Sequence, residues 1–218
     1  MTPTATTTLP DLIFADGFES GNLSAWSTAS TDSGNLSVSA AAALVGTRSM
    51  QALINDNNSI YVTDNRPVAE PRYRARFYFD PNTILMGSNN THSIFSGRDA
   101  SGTAVLRVEF RFSSGQYQIR ASLLNDGTSF TSTAWLTISD APHPIELDWR
   151  SSTAVGANNG GLTLWIDGVQ RANLTGIDND TRRIKSIRLG AVAGVDTGTR
   201  GTYYFDAFES RRQTYIGP

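Results

Sequence analysis

The sequence predicts an all-β chain, a two-sheet antiparallel β-sandwich of about a dozen strands with no substantial helix. Three observations carry this expectation. Arg72–Asp80 (RYRARFYFD) and residues 104–112 (AVLRVEFRF) alternate apolar with polar side chains, the period of a half-buried strand. Gly, Asn, Asp, Ser and Thr separate short apolar runs along the whole chain, as tight turns require. The two ends nearly repeat one another. Asp16-Gly17-Phe18-Glu19-Ser20 and Asp206-Ala207-Phe208-Glu209-Ser210 differ only at the second position, which predicts that the ends pair or neighbour in one sheet. No stretch longer than a turn combines a 3.6-residue apolar period with helix caps.

In chain order, residues 12–19 read as a first strand, followed by a turn that ends in a buried Trp26. Leu36–Ser39 and Ser49–Ile54 follow, separated by a turn at Val45-Gly46-Thr47-Arg48. Residues 60–62 are a short strand. Arg72–Asp80 turns Tyr73, Ala75, Phe77 and Phe79 to one side and Arg74, Arg76, Tyr78 and Asp80 to the other. Residues 93–96 lead to 104–112, where Leu106, Val108, Phe110 and Phe112 face inward and Arg107, Glu109 and Arg111 outward. A hairpin turn at 113–116 enters the strand 117–121, and 130–138 is looser. Residues 145–150 and 162–169 follow, with a hairpin signal at Asp167-Gly168. Residues 184–189 and 203–210 complete the set.

Residues 11–218 suffice for one domain, and 39% hydrophobic content is enough to fill a sandwich core. Residues 1–10 are Thr/Pro-rich and read as a linker or arm; they lack the basic start and apolar run of a signal peptide. No run approaches the roughly 20 apolar residues of a membrane span, so no membrane insertion is expected. A formal charge of −2 gives no general attraction to nucleic acid. There is no cysteine, and no P-loop, Rossmann glycine pattern or G-x-S-x-G motif.

Five segments, in order, resemble the concanavalin A-like lectin/glucanase superfamily, in particular the laminin G-like jelly rolls of bacterial extracellular proteins. They are Phe14-Ala15-Asp16-Gly17-Phe18-Glu19-Ser20-Gly21 with Leu23 and Trp26, then Gly46-Thr47-Arg48-Ser49-Met50-Gln51, then Ile145-Glu146-Leu147-Asp148-Trp149. Leu162-Thr163-Leu164-Trp165-Ile166-Asp167-Gly168-Val169 and Gly201-Thr202-Tyr203-Tyr204-Phe205-Asp206 complete the match. The resemblance implies a secreted or cell-surface jelly-roll domain; its function is not fixed by the fold, which hosts binding modules and enzymes alike.

The acids of the near-duplicate ends, Asp16, Glu19 and Asp206, are the metal-ligand candidates. The resemblance implies a structural calcium held by Asp16 or Glu19, the carbonyl of Gly46 and the carboxylate of Asp206, an oxygen set that suits that ion. A second group is the polar face of the central strands. Arg74, Arg76 and Tyr78, then Arg107, Glu109 and Arg111, then Gln118 and Arg120 share one face if their strands neighbour one another. Saccharides lie on such a face in the superfamily, and arginine forks suit an acidic polysaccharide. Trp165, out of phase with Leu164 and Ile166, and Trp135, in a loop-like stretch, are candidate sugar platforms. The alternative is cross-strand Arg–Glu pairing on a solvated face.

Arg107-Val108-Glu109-Phe110-Arg111 resembles the R-x-E-x-R strand of alginate-lyase-type jelly rolls, but Gln118-Ile119-Arg120 has Arg where their Q-I-H has His. His92 and His143 lie in turn-like contexts. Glu146 and Asp148 begin the E-x-D-x-x-E spacing of glycanases, with Arg150 and Ser151 where the third acid should follow. The expectation is a non-catalytic carbohydrate-binding or adhesion module. The alternatives are an assembly subunit that contacts neighbours through its N-terminal arm, and a polysaccharide lyase.

Overall fold

The computed structural model describes residues 9–218, which carry sixteen strands and one 3₁₀ turn at Ala40–Ala42. The first five strands are β1 Leu12–Asp16, β2 Thr28–Ser30, β3 Leu36–Ser39, β4 Ser49–Ile54 and β5 Ile60–Asp64. The middle of the chain gives β6 Arg72–Asp80, β7 Thr91–Arg98, β8 Ala104–Ser113 and β9 Gln116–Leu124. The short β10 Phe130–Ser132 and β11 Leu136–Ile138 precede β12 His143–Arg150 and β13 Gly160–Ile166. β14 Val169–Ile177, β15 Ser186–Ala193 and β16 Gly201–Arg211 end the series.

The strands form two antiparallel eight-stranded sheets. Sheet A has the order β14-β13-β12-β6-β16-β4-β3, with β1 also on β16; sheet B has the order β10-β9-β8-β7-β15-β5-β2, with β11 also on β9. The near-duplicate ends meet as expected, Phe14 opposite Ser210 and Asp16 opposite Phe208.

Alternation along β6, β8 and β16 supplies the core between the sheets. Tyr73, Ala75, Phe77, Phe79, Tyr203 and Phe205 of sheet A and Phe95, Val108 and Phe110 of sheet B are fully buried. Ring pairs cross the sandwich, Phe77 with Phe95 at 5.5 Å and Phe79 with Phe110 at 4.9 Å. Glycine is required at position 190, at a φ of 134°, where a Cβ would collide with the Ile60 carbonyl oxygen. At one end Trp26 packs against Phe14, Phe18 and Phe208, and its Nε1–H donates to Asp16 at 2.8 Å.

Several sequence expectations are corrected. The first strand stops at Asp16, whose carboxylate accepts the Phe18 N–H in a tight turn, with Phe18 at a φ of 58°. Sixteen strands replace a dozen because short pieces such as β2 and the exposed, polar edge strand β14 carry little apolar signal. The decisive correction concerns sheet membership: β6 lies in sheet A, whereas β8 and β9 lie in sheet B.

His92 is also corrected, from a turn to the buried side of β7. Its ring stacks on Tyr203 with centroids 5.8 Å apart, and its Nε2 lies 3.2 Å from the Tyr203 hydroxyl. Burial pushes its pKa down to about 4, against an upward pull from Asp196. The unfolded ring titrates near 6.5, so the unfolded chain takes up this proton first and stability is lost as pH falls from 6.5 toward 4. The loss attributable to this residue should reach about 3 kcal/mol. Urea denaturation from pH 7.5 to pH 4 should show wild type losing that much more than His92→Gln; parallel curves would exclude a neutral, buried His92.

Candidate functional site

Sandwich topology divides the predicted arginine face into two outer faces, and the two differ in kind. On sheet A, Arg72 and Arg74 pair with Asp148 at 2.8 and 2.9 Å, Arg74 with Glu146 at 3.2 Å and Arg76 with Glu209 at 3.7 Å. The chain after β16 then runs across this face. Arg74 donates to the Gln213 carbonyl at 2.8 Å and Arg76 to that of Gly217 at 3.3 Å. Glu146 accepts the N–H groups of Ile216 and Gly217 at 3.0 and 2.9 Å. Trp165 does face outward, but Tyr215 covers it with ring centroids 5.5 Å apart. Tyr78 lies on the same face beside Arg76. Arg74, Arg76, Tyr78 and Trp165 are therefore not on one surface with Arg107, and the first two and Trp165 hold the chain's own C-terminal segment.

Sheet B presents the other group together. Arg107, Glu109 and Arg111 on β8 project beside Gln118 and Arg120 on β9, because directly opposed residues share a face. Arg120 forks onto Glu109 at 2.8 and 3.3 Å, and the Ser122 hydroxyl donates to the same carboxylate at 3.0 Å. Burial works against the Glu109 charge, yet the Arg120 fork, Arg107 and Ser122 outweigh it and hold the carboxyl below its ordinary value. Arg111 donates to Gln118 at 2.8 Å. Trp135 sits in the bend between β10 and β11, half-buried, with the guanidinium groups of Arg111 and Arg120 at 4.1 and 4.5 Å from its ring centre.

The same face holds residues that sequence reasoning missed: Tyr61 on β5, Ser96 on β7, Phe130 on β10 and Arg188 on β15. Arg188 alternates with the buried Ile187 and Leu189, a signal that was present. What the sequence lacks is the strand order that sets β15 beside β7.

The remaining histidine is occupied, as is one acid of a surface cluster. His143 Nδ1 faces Asp167 at 2.9 Å and its Nε2 lies 2.9 Å from the Ser139 hydroxyl. That is the order of a hydrolase triad, but Nε2 also accepts the Ser139 backbone N–H at 3.1 Å, so the lone pair a general base needs instead closes the turn. Asp126, Asp178 and Asp180 bring carboxylate oxygens within 4.8 Å of one another, and Asp126 faces Arg182 at 3.2 Å.

The terminal acids do not fit the cation that the resemblance implies. Asp206 accepts the N–H groups of Leu44, Val45 and Ala207 and the hydroxyl of Ser49. Glu19 accepts the N–H groups of Thr47 and Arg48 and the Thr47 hydroxyl. Asp16 is engaged by Phe18 and Trp26. Gly46, at a φ of 76°, lies against Glu19, where a Cβ would collide with the carboxylate. These oxygens meet hydrogen-bond donors, and the 44–48 turn is gripped from two sides by Asp206 and Glu19. The expected self-assembly arm, residues 1–10, lies mostly outside the described residues.

No family model matches the sequence and no curated protein matches it. Solved structures do. The globular domain of T. cruzi calreticulin superposes with a TM-score of 0.63 at 12% identity, over 93% of this chain and 88% of that one. Domain 4 of AbnA, a GH43 extracellular arabinanase from Geobacillus stearothermophilus, solved with arabinotriose, gives 0.58 at 14%, over 94% of each chain. The ligand-binding domain of botulinum neurotoxin serotype D, solved with N-acetylneuraminic acid, gives 0.55 at 14%, over 85% of this chain and 45% of that one. At these identities the likeness is one of fold, the β-sandwich jelly roll.

Asp206→Asn would place an amide NH₂ among N–H and O–H donors and should cost about 3 kcal/mol, lowering Tm by roughly 10 °C. A chelator should leave the wild-type Tm unchanged. A fall of several degrees on chelation would restore the cation.

Proposed function

We propose that this chain is a non-catalytic carbohydrate-binding module that takes a glycan across the outer face of sheet B. The observation that carries the reading is the contrast between the two faces. Sheet A is closed by residues 213–218, whereas sheet B sets the half-buried Trp135 beside a row of arginine, glutamate and glutamine side chains. An aromatic ring can stack on the apolar side of a sugar, and such polar groups donate to and accept from its hydroxyls.

Two neighbours of the same fold were solved with sugars, arabinotriose in one and N-acetylneuraminic acid in the other, which supports the class of ligand. The absence of catalysis is supported by the surroundings of the candidate acids and bases. Glu146 and Asp148 are tied to arginines and to the C-terminal segment, and His92 faces the core. An extracellular or cell-surface adhesive setting accords with this reading, and the terminal acids serve it as a clasp without a cation.

A glycan array followed by calorimetric titration of the best ligand tests the proposal. Trp135→Ala should weaken binding about tenfold, while Trp165→Phe should leave it unchanged. Loss in the second variant alone would move the glycan to sheet A. Failure of wild type to bind any glycan would overturn the reading.

A further inference from the structure

We propose that the outer face of sheet B carries a subsite for an anionic substituent, a carboxylate or a sulfate, held between Arg107 and Arg188 above Ser96. The proposal rests on the glycan reading for the source of the anion but not for the site itself. Ser96 stands directly opposite Arg107 on one side and Arg188 on the other, so the three form a row across β8, β7 and β15. Strands about 4.8 Å apart place the two arginine Cα atoms roughly 10 Å from each other, a span that two long side chains close by converging on one small group.

Each guanidinium is braced by an aromatic ring, Arg107 over Phe130 at 3.5 Å and Arg188 over Tyr61 at 4.3 Å. Stacking of this kind fixes the plane of the fork while leaving its edge free to donate. Between them Ser96 is 1% exposed, and its hydroxyl has no hydrogen-bond partner among the described residues. The Nε atoms of Arg107 and Arg188 are likewise buried and unpartnered. Buried polar groups are normally satisfied, so three orphans in one row mark a place where a ligand supplies what the protein does not.

The charge points the same way. Arg98 lies two residues along the face from Ser96; burial and then the Arg188 charge hold its pKa below the ordinary value. Glu109, the acid on these strands, is already taken by Arg120 and Ser122. A sugar hydroxyl could satisfy Ser96 but would leave Arg188 without an acid and Arg107 sharing the charge of Glu109 with Arg120. An anion answers all three groups, and guanidinium forks match its oxygens.

Thermal melts in sulfate and in chloride at matched ionic strength test the site without any sugar. Sulfate should raise the wild-type Tm by several degrees more than that of Arg107→Gln/Arg188→Gln, since an ion bound only by the folded state stabilises it. Ser96→Ala should melt at the wild-type temperature or above in chloride, and lose part of the sulfate increment. Equal increments in wild type and the double variant would overturn the proposal. A second arm compares binding of an oligogalacturonate with its methyl ester, and of a sulfated oligosaccharide with its unsulfated parent. Wild type should prefer one of the charged forms at least tenfold, and the double variant should show no preference. Equal wild-type affinity for charged and uncharged forms would overturn the subsite and leave the glycan reading standing. A specific sulfate increment without oligosaccharide binding would uphold the anion site and overturn the glycan reading.

Discussion

The fold turns on a change of partner along β16. On one side this strand pairs with β6; on the other it pairs with β4 as far as Phe205 and with β1 from Phe208 onward. The exchange falls at a bulge after Asp206, with Ala207 at a φ of 44°. A fully buried carboxylate at such a junction is costly unless donors surround it. Burial raises the Asp206 pKa, and the donors from Ser49, Val45, Ala207 and Leu44 pull against that rise without cancelling it. The result is a knot joining the last strand, the 44–48 turn and β4. Glu19, just beyond β1, holds the same turn from the other side.

That knot has consequences on both sheets. With β16 fixed, β6 and β12 follow in register, and Arg74 and Glu146 come to lie where residues 213–218 pass over them. One outer face is thereby closed by the protein itself. The other is framed by β7, β8 and β9, and Phe95 of β7 and Phe110 of β8 meet the aromatic residues of β6 and β16 across the core. The division between a closed face and an open one is thus a product of topology, since β6 and β8 carry nearly interchangeable patterns.

That interchangeability explains how much could be read in advance. Alternation tells which residues of a strand share a side, and it did so for β6 and for most of β8. It cannot tell which sheet the strand joins, because RYRARFYFD and AVLRVEFRF present the same period to either sheet. The near-duplicate ends were legible as a pair because both copies carry the same pattern. Their chemistry was not, because an acid beside a glycine turn suits a cation or a set of backbone N–H groups equally well, and only the position of Leu44, Val45 and Thr47 decides. Trp165 was legible as outward-facing, but Tyr215, which covers it, is distant in sequence. Ser96 and Arg188 are neighbours because β15 lies between β7 and β5, an order that no local pattern encodes.

The two arginine faces also differ in energetic terms. Like charges about 10 Å apart repel by about 2 kcal/mol at an effective dielectric of 20, by more where side chains converge and by less where salt screens them. Sheet A cancels such repulsion with Asp148, Glu146 and Glu209. Sheet B places Arg98, Arg107, Arg111, Arg120 and Arg188 against Glu109, in a chain whose overall charge is slightly negative. Among the described residues no segment covers this face, and two of its cations are braced on aromatic rings. The buried aromatic core can sustain a repulsion of this size, so the face folds without its counter-charge. On the proposed reading, an approaching anion would meet groups whose entropy is already lost and whose hydrogen-bonding capacity is unused, and this preorganisation, more than the number of arginines, is what recommends the face as a binding surface.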